Sequence, residues 1–176
     1  MSDLPILPVR LWIERVCAQS FMHEPDLLEQ FDDVIAFAIR GETQMDRAVL
    51  ESHVDMLLRI WTMPTSVDPG EPPSRTWPAW SDGTDPEAWL ARLVRAARCR
   101  LAVGASRGVY QDDLAALAGC ARSTVRVGVA KGELQPVAYS GKRRKGSPPV
   151  LIDPKSASAW LAARDTPGFE TAATAA

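Results

Sequence analysis

The apolar and polar positions of residues 25–40 follow the period of an α-helix. Apolar side chains recur every three or four residues, which places them on one face: Leu27, Leu28, Phe31, Val34, Ile35 and Ala38. Pro25 suits the first turn of such a helix, and Gly41 suits its stop. The pattern therefore predicts a helix over residues 25–40 with one face in a hydrophobic core.

Stretches on either side carry similar stripes and complete a predicted trio of helices. Residues 9–20 align Leu11, Trp12, Val16 and Cys17. After Thr43 and Asp46, which resemble an N-terminal cap, the chain aligns Val49, Leu50, Val54, Leu57, Leu58 and Trp61. Three short helices bury little surface alone, so we expect residues 1–63 to form a small domain that homodimerises.

Residues 64–86 interrupt these patterns with six prolines and no helical or alternating period. Proline removes a backbone donor and disfavours helix in the residue before it. We therefore expect residues 64–83 to form an extended linker between two domains.

A helix is predicted directly after the linker, where Thr84 and Glu87 have the spacing of a capping box. Its apolar face is predicted to contain Leu90, Leu93, Val94, Ala97 and Leu101. The other side carries Arg92, Arg95 and Arg98, which predicts a solvated face or one that borders a phosphate backbone.

Residues 110–134 have the pattern of two short helices joined by a tight turn. The first, residues 111–118, is predicted to bury Leu114, Ala115 and Leu117. Gly119 fits the turn, because a positive φ is cheap only without a side chain. The second, residues 122–131, is predicted to bury Val125 and Val129 and to stop at Gly132. This spacing is typical of a helix-turn-helix.

Two β-like runs follow, with consecutive cations between them. Leu134, Val137 and Tyr139 alternate, and residues 150–152 form the second run. The cations at the tip of this predicted hairpin are Lys142, Arg143, Arg144 and Lys145.

A last helix is predicted to begin at Asp153-Pro154 and to bury Ala157, Trp160 and Leu161. The order of elements predicts a mostly α protein in which residues 84–166 form a winged helix-turn-helix with a two-stranded β-wing. Residues 167–176 are predicted to be a flexible tail.

Charge divides the chain at the same linker. Residues 1–83 contain six Arg/Lys against fourteen Asp/Glu, a net charge of -8, whereas residues 84–176 contain fourteen against eight, a net charge of +6. A basic module joined to an acidic one favours contact with nucleic acid. Cations at the tip of a wing can reach a phosphate backbone or a narrow minor groove.

The run from "YQDDLAALAGCARSTVRVGVAKGELQPVAY" to "VLIDPKSASAWL" resembles the winged helix-turn-helix domains of excisionase-like and MerR-like DNA-binding proteins. The resemblance covers about residues 107–164. It implies a bacterial or mobile-element regulator that binds double-stranded DNA, either a transcription factor or a recombination accessory protein. Such a protein is expected in the cytoplasm, at the nucleoid.

By this resemblance the second helix lies in the major groove and the wing contacts the backbone or minor groove. The implied DNA-binding residues are Arg122, Ser123, Thr124, Arg126, Val127 and Lys131 on the helix, and Lys142, Arg143, Arg144 and Lys145 in the wing. The chain departs from the family at two positions. Ala121 stands where a capping Ser is usual, and Gly128 replaces a larger residue, which weakens the helix by about 1 kcal/mol relative to Ala.

Other classes of protein find little support in the sequence. Paired carboxylates, a nucleophile elbow, a phosphate loop and metal-ligand spacing are not visible, so we expect neither an enzyme nor a cofactor or metal. Cys17, Cys99 and Cys120 are widely spaced, which favours reduced thiols, and no apolar stretch is long enough to cross a bilayer. The alternative function is a protein-interaction adaptor whose winged scaffold holds an acidic partner without specific DNA binding.

Overall fold

A computed structural model describes residues 25–62, 86–137 and 150–169 of the chain. These residues are mostly helical and include one small, two-stranded antiparallel sheet. The elements are α1 (Pro25–Arg40), α2 (Arg47–Thr62), α3 (Pro86–Gly104), β1 (Val109–Tyr110), α4 (Gln111–Leu117), α5 (Arg122–Ala130), β2 (Leu151–Ile152) and α6 (Pro154–Ala162). The predicted helix over residues 9–20, the linker over residues 64–83 and the cationic run at residues 142–145 lie outside the described residues.

The first hydrophobic core lies between α1, α2 and α3. Its buried side chains are Val34, Ile35, Ala38, Leu50, Val54, Leu57, Leu93, Val94, Ala96, Ala97 and Leu101. The predicted stripes of α1 and α3 are confirmed wherever their side chains are described. On α2 the prediction for Val49 was wrong, because this side chain is 45% exposed while the neighbouring Leu50 is buried. Asp46 Oδ1 accepts a hydrogen bond from the Ala48 amide, as expected of an N-terminal cap.

The second core lies on the opposite side of α3, among α4, α5, α6 and the sheet. Its buried side chains are Cys99, Val109, Leu114, Ala115, Val125, Leu134, Ile152, Ala157, Trp160 and Leu161. Helix α3 therefore contributes to both cores, through Leu93 and Val94 on one side and Cys99 on the other.

The sheet pairs β1 with β2 in antiparallel register, Val109 opposite Ile152 and Tyr110 opposite Leu151. Residues 135–137 run along the other edge of β2. The Val137 amide donates to the Leu151 carbonyl, and the Asp153 amide donates to the Gln135 carbonyl, both at 2.8 Å. Of the predicted hairpin, the described residues contain a single bridge, Pro136 opposite Ile152, and the strand paired with β2 is β1, which was not predicted. Asp153 also begins α6 as predicted, its carboxylate accepting from the Ser156 amide at 2.9 Å.

Arg100 joins the end of α1 to α3 and to the segment after α6. The side chain is buried, and its guanidinium donates to the carbonyls of Ala38, Ile39 and Pro167 at 2.7–3.0 Å. Phe169 lies against the same guanidinium, 5.2 Å from its ring centroid. Burial lowers the pKa of Arg100 to about 10, which leaves the group charged at neutral pH. The cation therefore satisfies carbonyls that α1 leaves open at its negative end.

Two glycines make room for this guanidinium. Gly41 and Gly168 both have positive φ, and a β-carbon on Gly41 would lie 2.7 Å from Arg100 Nη1. A β-carbon on Gly168 would lie 2.7 Å from the Arg40 carbonyl. Gly41 ends α1 as predicted, and its lack of a side chain also admits Arg100.

A second arginine makes a similar connection at the end of α3. Arg47, the first residue of α2, donates to the carbonyls of Leu101 at 2.7 Å and Gly104 at 3.1 Å. Glu51 on the same helix pairs with Arg107 at 2.6 Å. The ends of α1 and α3 are thus each capped by a side chain from another helix.

In the part of the chain that the structure describes, no helix is both long and apolar enough to span a membrane.

Candidate nucleic-acid interface

The turn between α4 and α5 fixes the angle between the two helices. Ala118 caps α4, and Gly119 follows with φ +64°, as the sequence predicted for this position. The Cys120 amide then donates to the Ala115 carbonyl at 3.0 Å. Ala115 itself is buried, so its small side chain lets the helices cross closely. The predicted helix-turn-helix spacing thus corresponds to two short helices with a glycine turn.

The inward side of α5 is built on Val125 and Gly128, both buried. A β-carbon on Gly128 would lie 3.1 Å from Leu134 Cδ1 and 3.2 Å from Trp160 Nε1. Gly128 therefore has a packing role, because it lets the α5 backbone approach these two side chains. This contact offsets the loss of helix propensity that the sequence indicated.

The outward side of α5 contains every helical residue that the sequence assigned to DNA. All of them are exposed: Arg122, Ser123, Thr124, Arg126, Val127 and, just after the helix, Lys131. Val127 is the apolar member of this face and is 50% exposed. Among the described residues, neither Arg126 nor Lys131 has an ion-pair partner. Ala121 precedes the helix without a side-chain capping bond.

Arg122 differs from the other cations of this face, because it already has a partner in the fold. Its Nε lies 3.2 Å from Asp112 Oδ1 at the start of α4. Both side chains are partly exposed, so the pair remains accessible to a competing anion.

The arginines of α3 lie against α4. Arg98 Nε is 3.6 Å from Asp113 Oδ2, and its guanidinium lies 5.5 Å from the centroid of the Tyr110 ring. Asp112 and Asp113 also attract the charge of Arg95. The arginine face of α3, predicted to be solvated or to border phosphate, is thus largely engaged by the acidic first turn of α4.

Asp113 is the most perturbed carboxyl group of the described region. Burial raises its pKa to about 6, although the charges of Arg98 and Arg95 act in the opposite direction. Only 7% of the side chain is exposed, and the ion pair at 3.6 Å is too long to repay the loss of hydration. The sequence did not reveal this residue, because its burial depends on how α4 packs against α3.

Replacing Asp113 with Asn is expected to stabilise the protein above neutral pH. Below the ordinary pKa of 3.8 the carboxyl is neutral in both states, whereas above about 6 the folded protein must bury an anion. Wild-type stability is therefore lost as the pH rises through this window, and the variant escapes the loss. The gain is at most about 3 kcal/mol and should vanish near pH 4. Urea unfolding at several pH values measures it.

The matched control is Asp112→Asn on the neighbouring, more exposed residue. Removing its pair with Arg122 should destabilise by no more than about 1 kcal/mol. An equal stabilisation of both variants at high pH would contradict burial as the cause of the Asp113 effect.

No metal site is formed by three or more His, Cys, Asp or Glu side chains within residues 25–62, 86–137 and 150–169. The wing residues assigned to DNA, Lys142, Arg143, Arg144 and Lys145, lie outside the described residues.

Comparison of the chain with protein-family models, with curated proteins and with solved structures found no match in any of the three.

Proposed function

We propose that this chain is a sequence-specific, double-stranded DNA-binding regulator that inserts α5 into the major groove. The observation that carries the proposal is the outward face of α5. Polar and cationic side chains cover this face, while packing against Leu134 and Trp160 holds the opposite side. A rigid helix with exposed hydrogen-bonding side chains meets the requirements for reading base edges.

The residue types on α5 suit the chemistry of the major groove. Arg126 carries the paired donors that match the O6 and N7 acceptors of guanine. Ser123 and Thr124 can contact either bases or phosphates, and the half-exposed Val127 provides an apolar contact for a thymine methyl group. Lys131 is suited to a phosphate beside the groove.

A wing between residues 137 and 150 completes the proposed winged helix-turn-helix. Its support is the antiparallel pairing of residues 135–137 with β2, which brings the two ends of the intervening segment together. Four consecutive cations in that segment would then approach the phosphate backbone or minor groove. This architecture is the one implied by the resemblance to excisionase-like and MerR-like proteins.

Dimerisation through residues 1–63 belongs to the same proposal. Two copies would present two α5 helices to half-sites about one helical turn apart, roughly 34–36 Å. The acidic charge of this half would keep it away from the duplex, so that contact with DNA is restricted to the basic half.

The proposal is tested by Arg126→Ala, after a preferred site has been selected from random duplexes. The variant is expected to lose about 1–3 kcal/mol of binding free energy on the selected site and much less on random DNA. Fluorescence anisotropy at fixed salt measures both affinities.

Arg40→Ala provides the control, since Arg40 is an exposed arginine at the end of α1 and its loss should leave both affinities unchanged. Equal losses on both DNAs would reassign Arg126 to a phosphate. Selection that enriches no sequence would instead favour the adaptor function.

A further inference from the structure

Arg122 differs from the rest of the outward face of α5, because its guanidinium is paired with the preceding helix. Its Nε lies 3.2 Å from Asp112 Oδ1, at the start of α4. Arg126, one turn further along α5, is exposed on the outward face itself. The first cation of this face therefore lies where α4 and α5 meet.

Both partners of this ion pair remain in contact with water. The Arg122 side chain is 47% exposed and that of Asp112 is 36% exposed. Exposed ion pairs contribute little free energy, because both charges are well hydrated when the pair opens. The adjacent Asp113 differs, since its side chain is only 7% exposed and is paired with Arg98 of α3. Asp112 is thus the carboxylate that can release its arginine at small cost.

A third charged group, Arg95 of α3, interacts with both members of the pair. Its charge is attracted by Asp112 and repelled by Arg122. The Asp112 carboxylate therefore keeps a neighbouring cation when Arg122 turns to another anion, which lowers the cost of the exchange further.

We propose that Arg122 exchanges Asp112 for a phosphate of the DNA backbone, so that Asp112 limits the affinity of the chain for every duplex. The inference rests on the proposed DNA-binding function and identifies the group that this arginine contacts. In a helix-turn-helix the first helix crosses the backbone while the second enters the major groove. A guanidinium at the start of α4 is therefore beside the phosphates, and its planar donors match them. The Asp112 carboxylate competes for these donors and repels the incoming phosphate.

The experiment compares Asp112→Asn with the wild-type full-length chain on a random duplex and on the selected site. Asparagine keeps the size of the side chain and removes its charge. We expect the variant to bind both duplexes about two- to fivefold more tightly, which is the range of an exposed ion pair. Fluorescence anisotropy at several salt concentrations measures the affinities.

Two further variants show whether the gain acts through Arg122. Arg122→Gln should weaken binding to both duplexes alike and lower the salt slope by about 0.9, the contribution of one phosphate contact. Adding Asp112→Asn to Arg122→Gln should give little further gain, because the arginine that the carboxylate held is then absent.

Asp55→Asn is the matched control for net charge. Asp55 is exposed on α2, which packs on the opposite side of α3 from α5. Its replacement changes the charge of the chain by the same amount and should leave both affinities unchanged. Thermal melting shows whether each variant is folded, and Asp112→Ser takes the place of an unstable Asp112→Asn.

Three results would overturn the exchange while DNA binding by the wild type stands. These are unchanged affinity of Asp112→Asn, a gain that persists in full in the Arg122→Gln background, or weaker binding of Asp112→Asn to the selected site alone. The second result would indicate a long-range effect of charge, and the third would make Asp112 a support for a base contact by Arg122. A wild-type chain that binds neither duplex would refute the proposed function, and the exchange with it.

Discussion

Replacing Arg100 with Met is expected to lower the free energy of unfolding by about 3–4 kcal/mol. Methionine retains much of the apolar stem, but the carbonyls of Ala38, Ile39 and Pro167 lose their donor. Each buried acceptor left without a partner costs about 1–3 kcal/mol, and water entering from the partly exposed side would reduce the sum. Urea unfolding followed by far-UV circular dichroism measures the loss.

Arg47→Met provides the matched control for this prediction. Arg47 also donates to two helix-terminal carbonyls, but its side chain is 45% exposed, so water can replace it. The expected loss is about 1 kcal/mol or less. Equal losses in the two variants would show that burial does not determine the strength of the Arg100 contact.

Replacing Lys142, Arg143, Arg144 and Lys145 together with Ser is expected to weaken DNA binding about 100-fold or more at roughly 0.1 M salt. Each phosphate contact contributes a slope of about 0.9 to the dependence of log affinity on log salt, so two to four contacts should lower the slope by about 2–4. Specific and random duplexes should lose affinity alike, because phosphates carry no sequence information. Salt titrations of both duplexes measure the slope.

A charge-conserving variant separates charge from side-chain identity in this run. With Arg143→Lys and Arg144→Lys, four cations remain, and the salt slope should stay near that of the wild type. An unchanged slope in a folded four-serine variant would contradict contact between the wing and DNA.

Local signals in the sequence were sufficient for most helices. The boundaries of α1 follow from Pro25, Gly41 and an unbroken apolar stripe, and α6 begins where Asp153 supplies the expected cap. Such signals depend on residues within one or two helical turns, so they can be recognised without knowledge of the tertiary structure. Val49 shows where such local signals fail. Val49 and Leu50 are neighbours on the predicted stripe, and the helical period alone does not determine which of the two side chains is buried against α1 and α3.

Contacts between distant segments could not be predicted in this way. The second buried face of α3 consists of Cys99 and small residues interspersed with arginines, which gives a weak apolar period. The partners of Arg100 lie about sixty or more positions away along the chain. The two-residue strand β1 is recognisable only through its pairing with Leu151 and Ile152.

The candidate interface also has some features that the sequence predicts and others that it does not. Exposure of the α5 residues follows from helical periodicity once Val125 is placed inward. The pairing of Arg122 with Asp112 depends on how α5 packs against α4, and the raised pKa of Asp113 depends on how α4 packs against α3. These features could not be predicted from the sequence without the three-dimensional structure.

The position of α3 between two cores has a thermodynamic consequence for the whole described region. Leu93 and Val94 would face water if α1 and α2 unfolded, and Cys99 would do so if α4–α6 unfolded. Unfolding on either side would thus expose apolar side chains of α3 to water, so we expect the two cores to unfold cooperatively. With cooperative unfolding, a molecule that binds only to the α5 side is expected to protect the amide protons of α1 and α2 from exchange, although it touches neither helix.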